Sequence, residues 1–173
     1  MTAALSPGRP FTGSERELLE NTLDLNRAEI VATVEGLSDA QARERLVPSL
    51  TTPISLIKHC AAAERIWFQR TLAGLSAEDC DGHAIGGDSS FFVADDETLA
   101  DVTAEYAAAS EKSREIATDH SLDDIAEHQL VGTVNLRFIY LGLIADVARH
   151  AGHADILVEQ IRAKTADRPL DAI

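Results

Sequence analysis

The sequence predicts an all-α protein, a four-helix bundle with long connections between its helices. Three observations support this: four segments place apolar residues at helical spacing, no run alternates as a clear β-strand, and 173 residues suffice for one domain. The segment from Gln129 to Val134 comes nearest to a strand and is short. We therefore expect a single domain, with residues 1–13 as a loose arm and residues 163–173 as a loose tail.

The first helix is predicted to begin at Ser14, which stands three residues before Glu17 in the spacing of a capping box. Apolar residues follow at helical spacing until Gly36, a residue that suits the end of a helix. Ser38 and Gln41 have the same capping-box spacing and predict a second, short turn of helix.

Three further long helices follow from similar signals. Pro53 suits the first turn of a helix whose cap would be Thr51 or Thr52. The fourth long helix is the most apolar one. Their expected ranges run from Thr52 to about Gly74, from Asp95 or Asp96 to about His120, and from Val134 or Asn135 to about Arg162. The loops between these helices are long, over residues 75–94 and 121–133.

Charge and cysteine content exclude several classes of function. The net charge is −14, from 29 acidic against 15 basic residues, and no Lys/Arg run is present. Because nucleic acids and anionic membranes attract clustered cations, we expect neither as a partner. Cys60 and Cys80 make no disulfide framework, and Met1 to Phe11 lacks the apolar core of a signal peptide. These features predict a cytoplasmic protein.

Asp146, His150 and His153 project from one face of the fourth long helix, within roughly a 60° arc. A carboxylate beside imidazoles in an apolar segment needs a partner, and a divalent metal ion is the simplest one. Three ligands with an open position would form a catalytic type of site. The alternative is a buried salt bridge, between Asp146 and Arg149 or His150, in a purely structural core.

His59 lies in the second long helix and could complete a ligand set with Asp146 and His150. Helix bundles bind metals in their cores through side chains from facing helices. A single histidine flanked by Leu56 and Ile57, however, is more often a core residue than a ligand. By spacing alone, the interpretation without a metal is therefore slightly favoured.

Six stretches, spread over about residues 14–162, match a known pattern. The most specific is Ala-Arg-His-Ala-Gly-His-Ala-Asp-Ile-Leu at 148–157. The others are Leu-Asp-Leu-Asn-Arg-Ala at 23–28, Gly-Leu-Ser-Asp-Ala-Gln-Ala at 36–42, Pro-Ser-Leu at 48–50, Leu-Ile-Lys-His-Cys-Ala-Ala-Ala-Glu-Arg-Ile-Trp-Phe at 56–68 and Asn-Leu-Arg-Phe at 135–138. Together they resemble the DinB-like superfamily of bacterial metal-binding four-helix bundles, in particular an actinobacterial-type subfamily of unknown function.

The resemblance implies a metal ion held by His59, Asp146 and His150. It places His153 where relatives usually carry a glutamine that is not a ligand, so His153 and Arg149 are candidates for binding a thiol cofactor or substrate. Asp146 stands where this subfamily more often has Glu. Gly142, one turn earlier, stands where relatives frequently carry His.

Three charged residues near the expected ligands could orient the histidines, namely Glu64, Arg149 and Asp155. Such outer contacts hold a metal-binding imidazole in place. Ordinary ion pairing is the more common use of residues of this kind, and we favour it for each of them.

The metal and its chemistry follow from the ligand types and the resemblance. Mixed nitrogen and oxygen ligands suit Zn²⁺, Ni²⁺, Fe²⁺ or Mn²⁺, with zinc or nickel favoured. Similarity to the mycothiol-dependent isomerase and thiol transferases of the superfamily implies a metal-dependent S-transferase, or a related hydrolase, that uses a low-molecular-weight thiol on a small electrophile. The alternative is a non-catalytic, stress-related bundle with a vestigial or structural metal. Because the family often forms dimers, we expect a homodimer.

Overall fold

The computed structural model describes residues 12–166, and within this range four long helices pack around one apolar core. The predicted all-α four-helix bundle is therefore confirmed. In chain order the elements are α1 (Glu15–Val34), α2 (Asp39–Ala42), α3 (Pro53–Glu64), a π-helical continuation of α3 (Arg65–Leu72), a 3₁₀ turn (Gly87–Phe91), α4 (Leu99–Thr118), β1 (Ile125–His128), β2 (Gly132–Asn135) and α5 (Leu136–Ala166).

The predicted arm and tail fall mostly outside the described residues. Of the arm, only residues 12 and 13 are described. Helix α5 continues through residues 163–166, so the first part of the expected tail is helical. The rest of the tail lies beyond the described range.

Reciprocal capping boxes start α1, α2, α3 and α4, as the sequence predicted for α1 and α2. Ser14 Oγ accepts the Glu17 backbone N–H, and the Ser14 N–H donates to the Glu17 carboxylate at 2.8 Å. Ser38 and Gln41 make the same pair of bonds at α2. Thr52 caps α3 in the same way. Each box pairs backbone N–H groups that the first turn of a helix leaves without partners.

Helix α3 is central to the bundle, because it packs against both α4 and α5, while α1 packs mainly against α5. Large buried side chains fill the space between them, among them Leu23, Ile57, Phe68, Tyr106 and Leu143. Burying each such side chain contributes about 1.5–3 kcal/mol. The packing of α3 against α5 brings the predicted ligands on these two helices together.

A fully buried ion pair ties α1 to α3. Arg27 donates two hydrogen bonds to the Glu64 carboxylate, at 2.8 and 2.7 Å, and a third to Asp24 at 2.7 Å. Arg114 of α4 donates to the same Asp24 at 2.8 Å. Although burial works against the charged guanidinium, the Glu64 carboxylate raises the pKa of Arg27 above its ordinary value. The Glu64 carboxylate therefore serves as the ion-pair partner of Arg27.

A β-hairpin precedes α5, which corrects the expectation that no strand is present. Ile125 pairs with Asn135 and His128 with Gly132, so three residues form the loop. Gly132 has a φ of 78°, in the left-handed region that closes three-residue hairpin loops and that glycine adopts without strain. The candidate segment from Gln129 to Val134 was placed wrongly, because it comprises the loop and only part of β2.

Helix α4 begins at Leu99 and not at Asp95 or Asp96. Thr98 caps it and forms a capping box with Asp101. Two acidic residues that looked like caps in the sequence therefore belong to the preceding turn. No helix within residues 12–166 is long and apolar enough to span a membrane.

Candidate metal centre

His59 from α3 and Asp146 and His150 from α5 meet on one side of the bundle. His59 Nε2 lies 3.4 Å from Asp146 Oδ2, and His150 Nε2 lies 3.5 Å from Asp146 Oδ1. Potential ligand atoms of all three lie within 4.8 Å of one another. The side chains of His59, Asp146 and His150 are 19%, 30% and 12% exposed, so the cluster is partly buried but open to solvent on one side.

The tautomer of His59 follows from its contact with Ser90. The Ser90 hydroxyl has a single hydrogen, which it donates to the Gly87 carbonyl at 2.6 Å. Ser90 Oγ can then only accept from His59 Nδ1, which lies 2.8 Å away. In a neutral imidazole with Nδ1 protonated, Nε2 carries the lone pair. His59 therefore points an acceptor nitrogen at the Asp146 carboxylate.

Two acceptors facing each other need a cation between them. Burial raises the pKa of the Asp146 carboxyl, but the neighbouring imidazoles of His150 and His59 outweigh burial and hold that pKa well below its ordinary value. The carboxylate is thus ionised at neutral pH. Either an added proton on an imidazole or a metal ion must balance it.

The ligand types and their spacing fit a divalent metal. Two ligands about 2.0–2.2 Å from one ion in tetrahedral geometry lie roughly 3.3 Å apart. His59 Nε2 lies 3.4 Å from one Asp146 oxygen and His150 Nε2 lies 3.5 Å from the other, so each pair of imidazole and carboxylate is spaced as two ligands of one ion would be. Two nitrogens and one carboxylate form a set that Zn²⁺, Ni²⁺, Fe²⁺ and Mn²⁺ all accept.

The two histidines differ in their outer contacts. Metal-binding histidines usually donate their second ring N–H to an oxygen, which fixes the ring. His59 does so through Ser90. His150 Nδ1 is buried and has no hydrogen-bond partner among the described residues.

The loop between α3 and α4, residues 73–98, carries Ser90 to His59 and is fastened to the π-helical part of α3. Arg65 donates to Asp81 and to Glu105 of α4, each at 2.6 Å. The Asp81 N–H donates to Gln69 Oε1 at 3.1 Å. The anchored loop places Phe91 flat against the His59 ring, with 4.2 Å between centroids and 7° between planes.

Sequence reasoning missed Ser90 and the contact of Phe91 with His59. Both lie in a long loop, 31 and 32 positions from His59, where helical spacing carries no information about contacts. The Gly86-Gly87 pair before them is the one available signal, because glycines mark tight turns.

Of the other predicted site residues, His153 and Arg149 lie beside the cluster. The His153 ring centroid lies 5.6 Å from that of His150, and the side chain is exposed. Arg149 is 63% exposed, with Nη1 at 3.8 Å from Asp146 Oδ1. Asp155 is exposed as well. Glu64 pairs with Arg27 and does not orient either histidine.

Comparison with known families identifies the group to which the fold and the cluster belong. A family model described as mycothiol-S-transferase matches residues 18–163, nearly the whole described range. The chain belongs to the mycothiol-S-transferase family. This membership confirms the resemblance to DinB-like proteins.

A crystal structure of a conserved protein from Enterococcus faecalis has the same fold as this mycothiol-S-transferase family member. The two chains are 15% identical and superpose with a TM-score of 0.68, over 88% of this chain and 99% of the other. At that identity the likeness concerns the fold alone. No curated protein matches the chain significantly.

Proposed function

We propose that this protein is a metal-dependent S-transferase that joins a low-molecular-weight thiol of the mycothiol type to a small electrophile. The observation that carries the proposal is the Asp146 carboxylate, which faces an imidazole nitrogen on either side. Membership of the mycothiol-S-transferase family supports the choice of mycothiol as the type of thiol. The open side of the cluster leaves room for that thiol beside the three side chains.

In this proposal His59, Asp146 and His150 hold the metal, with zinc or nickel favoured. A divalent metal bound there would keep a thiol in its thiolate form at neutral pH. Ser90 and Phe91 hold His59 in place through its Nδ1–H and its ring face. Because the His59 side chain is already oriented, it needs little rearrangement when the substrate binds.

The proposed reaction is a substitution or addition at carbon. The thiol proton passes to solvent, the sulfur forms a bond to the electrophilic carbon, and the leaving group departs with its bonding electron pair. If the electrophile is a strained ring, the carbon–heteroatom bond breaks, and the heteroatom keeps the electron pair and takes up a proton from water. A cytoplasmic location, where low-molecular-weight thiols stay reduced, suits this chemistry.

A second candidate is a non-catalytic bundle with a vestigial or structural metal. The unpartnered His150 Nδ1 favours it, because metal sites that lack such an outer contact typically lose 10–100-fold in affinity, an order-of-magnitude figure. The shorter carboxylate of Asp146, compared with the glutamate of relatives, points the same way.

Metal content and turnover together distinguish the two candidates. Untagged protein is analysed for metals, titrated calorimetrically with Zn²⁺ and Ni²⁺, and assayed for conjugation of mycothiol with a fluorogenic alkyl halide. We expect one metal per chain and thiol-dependent turnover, both lost in His59→Ala and His150→Ala. His120→Ala, a histidine at the end of α4, is the matched control and should behave as wild type. A bound metal without turnover on mycothiol, cysteine or glutathione would favour the non-catalytic candidate.

A further inference from the structure

A pocket of about 290 Å³ lies next to the metal-ligand cluster. Val47 and Thr51 line it from the connector before α3, and His153, Ile156 and Leu157 line it from α5. We propose that this pocket binds an uncharged, apolar group of the electrophile and so directs the electrophilic carbon towards the thiol. The inference rests on the proposed function of the same site and names its substrate class.

The position of the pocket connects it to the cluster. His153 forms part of its lining, and the His153 ring lies 5.6 Å from the ring of His150. Asp146, His150, His153 and Leu157 follow at spacings of four, three and four, which places them along one stripe of α5. Leu157 is seven residues beyond His150, or roughly 10 Å along the helix axis. A small molecule anchored at Leu157 therefore reaches back to the metal ligands.

The lining matches an uncharged group. None of the residues that line the pocket is an acid, a lysine or an arginine, although the chain as a whole has a net charge of −14. Ser49, Thr51 and Gln160 add two hydroxyls and an amide. A mostly apolar surface with a few polar groups is typical of small-molecule sites, and 290 Å³ is near their lower size limit of about 300 Å³. A single ring or a short alkyl chain fits such a space.

Ile156 is the most exposed apolar residue that lines the pocket. Its side chain is 57% exposed on α5, where a solvent-facing residue would ordinarily be polar. Leu157 beside it is buried in the core. An apolar ligand in the pocket would cover Ile156 and remove this surface from water.

The connector wall of the pocket is held by side chain to backbone hydrogen bonds. Arg45 donates to the Pro48 carbonyl at 2.6 Å and to the Ser49 carbonyl at 2.8 Å. Ser55 Oγ donates to the Leu50 carbonyl at 2.9 Å. A wall that is already ordered lowers the entropic cost of binding a small ligand.

The kinetic test compares Ile156→Gln with Ile85→Gln. Ile85 is the control because it is also an isoleucine, is 52% exposed, and does not line the pocket. With a benzyl halide as the electrophile, Ile156→Gln should raise the KM for the benzyl halide about tenfold. The KM for the thiol and the affinity for Zn²⁺ should not change. A rise in the KM for the thiol alone would assign the pocket to the thiol and overturn the inference.

A binding test locates the ligand without turnover. Fluorobenzene is titrated into ¹⁵N-labelled protein, and backbone amide shifts are followed. Shifts should concentrate at His153, Ile156 and Gln160 in wild type and Ile85→Gln, and should disappear in Ile156→Gln. Shifts confined to Ala100, Ala104 and Ala107, which line a separate groove between α1 and α4, would overturn the inference.

The two tests separate the failure of the pocket from that of the transferase. If Ile156→Gln turns over with an unchanged KM for the electrophile, the assignment of the pocket is wrong, but the proposal of an S-transferase stands. Fluorobenzene shifts at the pocket without turnover on any thiol sink the transferase, and with it the role of the pocket as an electrophile site.

Discussion

Ser90 holds His59 in the one neutral tautomer that leaves Nε2 free to bind a metal. The 2.8 Å hydrogen bond from His59 Nδ1 to Ser90 Oγ has a fixed direction, because the Ser90 proton is already donated to the Gly87 carbonyl. The two residues stand 31 positions apart. The proposed metal ligand on α3 thus depends on a loop for its orientation.

Ser90→Ala should weaken metal binding about 10–100-fold, because His59 loses the contact that fixes its ring and its tautomer. Competition with a zinc chelator measures the affinity, and circular dichroism checks that the fold is kept. Ser89→Ala is the matched control, since its exposed hydroxyl contacts the Gly86 carbonyl. Equal zinc affinity in Ser90→Ala and wild type would refute the role given to Ser90.

Gly142→His should add a fourth ligand from α5. A Cβ at Gly142 meets no atom within 4 Å, and the residue stands one turn before Asp146 on the same face. We expect tighter zinc binding and lower thiol turnover, because the new imidazole takes the open position. Gly152→His, also free of contacts at its Cβ, controls for the effect of replacing a helical glycine. Identical zinc affinity in both variants would contradict the prediction.

Removing one partner of the Arg27–Glu64 pair should lower the free energy of unfolding by about 3–5 kcal/mol, since it leaves a buried group uncompensated. Arg27→Met and Glu64→Leu are compared singly and combined, by urea denaturation. The double variant should recover most of the loss. If the two losses simply add, the residues do not act as a pair.

The stack of Trp67 on His128 should make tryptophan fluorescence depend on pH. Their ring centroids lie 4.5 Å apart, and Trp67 is the sole tryptophan of the chain. Burial, with the nearby positive charge of Arg70, lowers the pKa of His128 below its ordinary 6.5. Imidazolium quenches indole, so emission should fall as pH decreases, with a midpoint below 6.5.

The lowered pKa of His128 also determines how protein stability should change with pH. The folded protein prefers the neutral imidazole, so the contribution of His128 is complete above pH 6.5 and is lost as the pH falls. His128→Gln should abolish the fluorescence transition. A transition that persists in this variant would assign it to another group.

We predict a homodimer that uses the apolar surface of the hairpin and the start of α5. Exposed side chains there are Ile125, Leu130, Val131, Phe138 and Leu141. Contiguous apolar patches of this kind mark interaction sites. Leu130, 90% exposed, should be decisive: Leu130→Asp should be a monomer by light scattering at micromolar concentration, and Ile85→Asp should remain a dimer. A monomeric wild type would contradict the prediction.

Local signals in the sequence predicted what local contacts determine. Ser14 with Glu17, and Asp146 with His150, are pairs within one helical turn, and the structure keeps both. The hairpin was missed because its clearest mark, a glycine in the left-handed region at 132, is a single residue and its strands are short. Ser90 was missed because no periodicity links a loop residue to a helix.

Gly82 lies against the helix that carries the proposed metal ligand His59. A Cβ on Gly82 would lie 2.5 Å from Cζ of Arg65, so the loop backbone rests directly on that guanidinium. Arg65 is also the first residue of the π-helical segment, whose wider turns determine where its side chain emerges. Arg65 therefore fastens the loop that carries Ser90 to the helix that carries His59, and any side chain at position 82 would have to displace that fastening.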